Sequence, residues 1–118
     1  MERMSAEAFR ALQAQPGQRR KHHNQPMEYN GRRYDSKKEA RYAVMLDLAR
    51  QAGEVLYWIP QPSIPLHHAS GVRYRPDFFV KYRDGHEEWV DVKGYDTPQS
   101  RQKRRQVKEA YGIEVKIV

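Results

Sequence analysis

No cysteine occurs among the 118 residues. That excludes disulfides and thiolate zinc sites, and it suits a reducing compartment. Nor does any apolar run approach the ~18 residues that cross a bilayer. The opening stretch "MERMSAEAFRALQAQPG" lacks the apolar centre of a signal peptide. The chain is therefore expected to be soluble and cytoplasmic, with no membrane partner. Its length suits one domain with a modest core. Acidic charge is also in short supply: 15 Asp and Glu face 22 Lys and Arg, a formal net charge of +7. A small basic domain most often owes such an excess to a polyanion, and nucleic acid is the leading partner. A membrane surface is disfavoured because no basic helix carries a strongly apolar opposite face.

What is present divides near residue 26. Residues 5–15 suit a short helix, but "PGQRRKHHNQP" is polar, basic and bounded by prolines, so 1–26 reads as an arm and 27–118 as the compact domain. Asn30-Gly31 between tyrosine-bearing segments signals a type I′ hairpin. Ser36 and Glu39 have the spacing of a capping box. The residues that follow place Ala40, Ala43, Val44, Met45, Leu46 and Leu48 within helical reach of a core, which predicts a helix over 37–52 that Gly53 stops.

Beyond that helix, "EVLYWI" predicts a strand over 54–59, and Pro60, Pro62 and Pro65 turn its continuation into an extended edge. Two further strands, about 72–82 and 86–93, predict a hairpin. Thr97-Pro98 begins a second helix that runs to Tyr111, Gly112 ends it, and "IEVKIV" makes a last strand. The expected class is α/β: a hairpin, then helix, three strands, helix and strand.

The hairpin poses a question of charge. Alternation puts Asp91 and Lys93 on one face and Val90 and Val92 on the other, buried one. A two-residue turn at Asp84-Gly85 would set Asp77 opposite Val92. A three-residue loop, Arg83-Asp84-Gly85 with Gly85 left-handed, would set Asp77 opposite Asp91 and pair Phe79 with Trp89 and Phe78 with Val90. The second register gives the better cross-strand partners and is preferred. Two opposed carboxylates repel by ~0.2–1 kcal/mol unless a cation lies between them. Hard oxygen donors without cysteine favour Mg²⁺ or Mn²⁺, which bind through carboxylates and phosphate oxygens. Lys93 would then contact a scissile phosphate or help position and deprotonate an attacking water. The same residues also suit a plain solvated sheet face.

Positive charge concentrates on the second helix, where Arg101, Arg104, Arg105 and Lys108 fall at i, i+3, i+4 and i+7. Val107, Ala110 and Tyr111 are left for the sheet, and only Glu109 offers an opposite charge nearby, so the stripe reads as a phosphate-contacting face. Arg19, Arg20 and Lys21 in the arm, and Arg32-Arg33 in the first hairpin, add contacts of the same kind, which grip a backbone without reading bases. His22-His23 and His67-His68 point in divergent directions and are not expected to hold a metal.

Pro76-Asp77, thirteen intervening residues, then Asp91-Val92-Lys93 and Gly94 resemble the PD-(D/E)XK nuclease motif. The order of elements between 37 and 118 matches that superfamily's restriction-endonuclease-like αβββαβ core, a central mixed sheet flanked by helices. "YNGRRYDSKKEARY", "YRPDFF", "DVKG" and "YGIEVKIV" together resemble a family of small phage endonucleases and, more distantly, phage endonuclease I Holliday-junction resolvases. The resemblance implies a Mg²⁺-dependent endonuclease (Mn²⁺ substituting) that hydrolyses DNA phosphodiesters, structure-specific for branched DNA and working in a bacterial host. It makes Asp77 and Asp91 metal ligands, Lys93 the catalytic lysine, and Glu39 a further ligand or water-orienting carboxylate, although Glu39 also suits a simple capping role. Junction cutting implies a homodimer. Two other readings stay open: a non-catalytic nucleic-acid-binding module of the same fold, and a nicking or transposon-end nuclease that needs a partner subunit.

Overall fold

The computed structural model describes residues 25–67 and 69–118. The chain divides into two compact units, Met1–Leu48 and Ala49–Val118. Residues 1–24 of the expected arm, with Arg19, Arg20, Lys21 and His22-His23, lie outside the described residues, as does His68.

In the first unit, β1 (Met27–Tyr29) and β2 (Arg32–Tyr34) form the predicted hairpin. Asn30 and Gly31 both take positive φ, 54° and 79°, as a type I′ turn requires. Tyr29 and Tyr34 are buried while Arg32 and Arg33 are exposed. Helix α1 (Lys37–Gln51) starts where Ser36 Oγ accepts the Glu39 backbone N–H at 3.1 Å, and Ser36 O accepts the first helical bond from Ala40. Of its apolar residues, Ala40, Ala43 and Leu46 are buried. Met45 and Leu48, expected within reach of the core, are 60% and 55% exposed. The buried stripe takes Glu39 and Asp47 instead. The Tyr29 hydroxyl donates to Asp47 Oδ2 and so ties the hairpin to the helix.

The second unit is built on a four-stranded mixed sheet in the order β3 (Val55–Pro60), β6 (Phe78–Tyr82), β7 (Glu87–Asp91), β8 (Val115–Ile117). β3, β6 and β7 are antiparallel neighbours, and β8 lies parallel to β7 because α2 (Pro98–Tyr111) carries the chain back across. Thr97 caps α2 by accepting the Ser100 N–H at 3.1 Å, Pro98 opens it, and Gly112 closes it at φ 70°. α1, β3, β6, β7, α2 and β8 thus follow the expected order.

Between β3 and β6 the chain makes a separate two-stranded ribbon, β4 (Ile64–His67) and β5 (Val72–Tyr74). The expected single strand over 72–82 is therefore broken. Pro76 has no N–H to offer a ladder and restricts Arg75 before it, so pairing stops at Tyr74 and resumes at Phe78. The ribbon packs against α2. Ile64, Tyr74 and Val107 form a buried cluster with Leu66, Trp89, Ile113 and Val115 around it. Full burial of Val107 stabilises this contact by ~1.5–3 kcal/mol.

Val107 alone of the predicted sheet-facing trio is buried. Ala110 is exposed and Tyr111 is 47% exposed, its hydroxyl bonding Pro65 O. Rings cross the sheet from Tyr57 to Phe79 to Trp89, with centroids 6.1 and 4.6 Å apart. β3 is one of the sheet's two edge strands and exposes Leu56, Tyr57 and Ile59. No helix among the described residues is long and apolar enough to cross a membrane.

Candidate functional site

The β6–β7 turn adopts the three-residue form. Tyr82 N–H donates to His86 O at 2.9 Å, Gly85 N–H donates to Tyr82 O at 3.0 Å, and Gly85 sits at φ 97°. Asp84 Oδ1 accepts the His86 N–H at 3.0 Å, which together with the His86 ring holds the Asp84 carboxyl below its ordinary range. Phe78 consequently lies opposite Val90 and Phe79 opposite Trp89, the preferred register.

That register brings Asp77 to Asp91. The Asp77 N–H donates both to Val90 O at 2.9 Å and to Asp91 Oδ1 at 3.1 Å, and Asp77 Oδ2 accepts the Val92 N–H at 2.7 Å. Each carboxylate is thus aimed by a backbone N–H of the opposite strand's chain. β7 ends at Asp91, two residues before the expected limit, so Lys93 belongs to the segment leaving the strand. Its N–H donates to Val118 O at 3.2 Å, and Val118 N–H donates to Asp91 O at 3.0 Å. Asp77, Asp91 and Lys93 accordingly gather outside the carboxyl end of β7, beside the end of its parallel neighbour β8.

Asp91 is 1% exposed. A buried carboxylate needs partners, and among the described residues it has three: the Asp77 N–H, the Tyr74 hydroxyl donating to Oδ2, and Lys93 Nζ at 3.6 Å from Oδ2. Lys93 Nζ also donates to Ser100 Oγ at 3.4 Å, which links the site to the first turn of α2. Burial first, and the bond to Asp91 second, push the Tyr74 hydroxyl pKa well above its ordinary value. The sequence reading missed Tyr74. Nothing in its spacing pairs it with Asp91; the available signal was Pro76, which detaches Tyr74 from the strand and frees it to turn elsewhere.

Glu39 belongs to the first unit, in the first turn of α1, where it is buried. Burial raises the Tyr34 hydroxyl to about 12, and the negative charges of Asp47 and Glu39 add to the rise. Desolvation is the largest cause, and Arg32 opposes it.

The basic stripe on α2 is less uniform than its spacing suggests. Arg104 makes a two-pronged ion pair with Asp96, 2.9 and 2.6 Å, and is mostly buried. That bond lowers the Asp96 pKa and raises that of Arg104. Arg101 donates to Asp96 O at 2.8 Å, and Lys108 pairs with Glu114 at 2.7 Å. The expectation that only Glu109 supplies opposite charge is corrected: Asp96 and Glu114, outside the helix, are brought to it by the turns at either end. Arg105 and Lys103 are exposed and make no ion pair among the described residues. Arg101, Arg104, Arg105 and Lys108 still line an open cleft of about 400 Å³ with Ile113, Glu114 and Val115. His67 Nδ1 is taken up by Ser70, whose Oγ lies at 2.8 Å and whose N–H donates at 3.1 Å.

Residues 19–118 match the family described as a protein of unknown function, DUF1064. The chain belongs to that family. No curated protein and no solved structure matches it. Among the described residues of this DUF1064 chain, no group of three or more His, Asp or Glu side chains gathers as a metal site. The opposed pair Asp77 and Asp91 is the donor set on offer. Each holds one oxygen on a backbone N–H and retains lone pairs beyond it. Two carboxylates completed by water and phosphate oxygens fit Mg²⁺, and neither hard oxygen donor suits a thiophilic metal.

Proposed function

We propose that the protein is a metal-dependent endonuclease that hydrolyses DNA phosphodiesters. One observation carries the reading: Asp91, fully buried, is held at a strand's end between the Asp77 backbone and the Lys93 ammonium. The PD-(D/E)XK-like spacing of these residues supports it, as does the αβββαβ order of elements. Preference for branched DNA, a homodimeric state and a phage origin rest on the motif resemblance and are part of the same proposal.

A divalent cation held by Asp77 and Asp91 would supply Lewis-acid polarisation of the scissile phosphoryl group. The chain's own contributions are distinct. Lys93 sets a positive charge beside that position, where it complements charge developing on phosphate oxygens. Tyr74 fixes the rotamer of Asp91, and the exposed cations of α2 hold the flanking backbone. A second reading, a non-catalytic nucleic-acid-binding module, draws support from the way Tyr74 and Lys93 already engage Asp91 Oδ2.

The test is incubation of the purified protein with labelled four-way junction, flap, duplex and single strand in Mg²⁺, Mn²⁺ or EDTA. Asp77→Ala and Lys93→Ala run alongside. Metal-dependent cutting, strongest on the junction and lost in both variants while gel-shift binding survives, is the expected result. Salt-sensitive binding by a wild type that cuts nothing would replace the enzyme with the binding module. Cutting restored by a partner subunit would favour the nicking or transposon-end nuclease.

A further inference from the structure

The loop that leaves the candidate site carries an aromatic ring for which the fold itself has no use. Tyr95 is 72% exposed, the most exposed large hydrophobic residue described. It makes no hydrogen bond, ion pair or ring contact among the described residues. The space around neighbouring Gly94 is open, with nothing within 4 Å of where a Cβ would stand.

A floppy loop would make this exposure unremarkable, but the loop is fastened at both ends. Before Tyr95, Lys93 N–H bonds Val118 O, and Lys93 Nζ reaches Ser100 Oγ. After it, Asp96 is gripped by both arms of Arg104, and its carbonyl accepts from Arg101. Thr97 then caps α2. Tyr95 is therefore an unpacked ring on an anchored backbone, two residues from Lys93 and at the foot of a helix that carries five basic residues; Arg104 and Lys108 are paired with Asp96 and Glu114, while Lys103 and Arg105 are exposed and make no ion pair among the described residues. An exposed aromatic set in a cationic surface is the composition of a platform on which an unpaired base stacks while cations hold its phosphates.

We infer that Tyr95 stacks on an unpaired nucleotide next to the phosphate held at Asp77, Asp91 and Lys93, and so selects nucleic acid with unpaired bases over continuous duplex. A paired base inside a duplex has both faces covered by its neighbours and offers the ring nothing. This inference rests on the proposed nucleic-acid function and deepens it by naming the substrate feature that the site reads.

The experiment measures binding of the full chain, by fluorescence anisotropy at low salt with EDTA present, to a single strand and to the duplex of the same sequence. Wild type, Tyr95→Ala and Tyr95→Phe are compared. Tyr95→Ala should weaken single-strand binding about tenfold, from loss of one stacked base, and change duplex binding less than about twofold; Tyr95→Phe should match wild type. Unchanged single-strand binding in Tyr95→Ala, or equal losses on both ligands, overturns the stacking role while leaving the nuclease reading intact. Loss of a dimer in Tyr95→Ala, seen by light scattering with binding unaltered, also overturns it by assigning the ring to a protein contact. A wild type that binds neither ligand overturns this inference, while the proposed function is decided separately by the cleavage series on junction, flap, duplex and single strand with Mg²⁺.

Discussion

Each unit of the chain buries an aspartate under a tyrosine hydroxyl, and the two pairs differ in what surrounds them. Asp47 is 3% exposed and receives the Tyr29 hydroxyl; Asp91 is 1% exposed and receives that of Tyr74. Asp47 lies inside α1, whose next turns continue in both directions and whose role for the acid is to hold the β1–β2 hairpin. Asp91 is the last residue of β7, so the chain leaves it at once and delivers Lys93, while the neighbouring strand delivers Asp77. A tyrosine hydroxyl donates to the buried acid in either setting. A strand end is what adds a second carboxylate and a cation, because that is where the ladder stops and loops begin.

The largest expected effect separates the pairs by chemistry. On the proposed endonuclease reading, Asp91→Asn should lower metal-dependent cleavage more than about a hundredfold, ~2.7 kcal/mol of barrier. Asp47→Ala should leave cleavage per folded molecule unchanged, and equal losses of specific activity in the two variants would break the comparison. Asp47→Ala acts on stability instead: it removes the acceptor of the buried Tyr29 hydroxyl's bond and should cost ~1–3 kcal/mol, read as a fall of several degrees in Tm.

Tyr29→Phe and Tyr74→Phe remove one hydroxyl each and should cost about 1 kcal/mol apiece by urea titration. Tyr74→Phe should also reduce the cleavage rate by loosening Asp91, an effect absent from Tyr29→Phe. Ser36→Ala removes the cap of α1 and should cost ~1 kcal/mol by urea titration.

The smallest effect at neutral pH appears only in alkali. Burial raises the Tyr34 hydroxyl from 10.0 to about 12, and it raises Tyr74 further still. The folded chain keeps these protons when the unfolded chain loses them. Their contribution is therefore complete below about pH 10 and is lost as pH rises through the folded values. Tyrosinate absorbance should show Tyr34 ionising before Tyr74. Tm should fall above pH 10, less steeply in Tyr34→Phe and Tyr74→Phe.

Much of this was legible in residue order because the signals were local. Asn30-Gly31 specified a turn through the two positive φ angles it tolerates, and Ser36 and Thr97 marked the helix starts through their side-chain oxygens. The three-residue turn followed from asking which register pairs Phe79 with Trp89. Pro76 was read as the start of a motif when its larger effect was to cut a strand in two and release β5 into a ribbon. The apolar periodicity of α1 overstated its core, since Met45 and Leu48 are exposed while Glu39 and Asp47 are buried. Helical spacing says which residues share a face, and burial is settled by what packs there.

By itself, then, the sequence determined the α/β order of elements, the turns and caps that bound them, and the register that opposes Asp77 to Asp91. Each of these follows from backbone preferences of a few neighbouring residues. Tertiary structure alone decided that Tyr74 reaches Asp91, that Asp96 and Glu114 engage Arg104 and Lys108, and that Tyr95 stands unpacked on a fastened loop. Those contacts join residues from separate elements, so they come into being only when packing has fixed where each element ends.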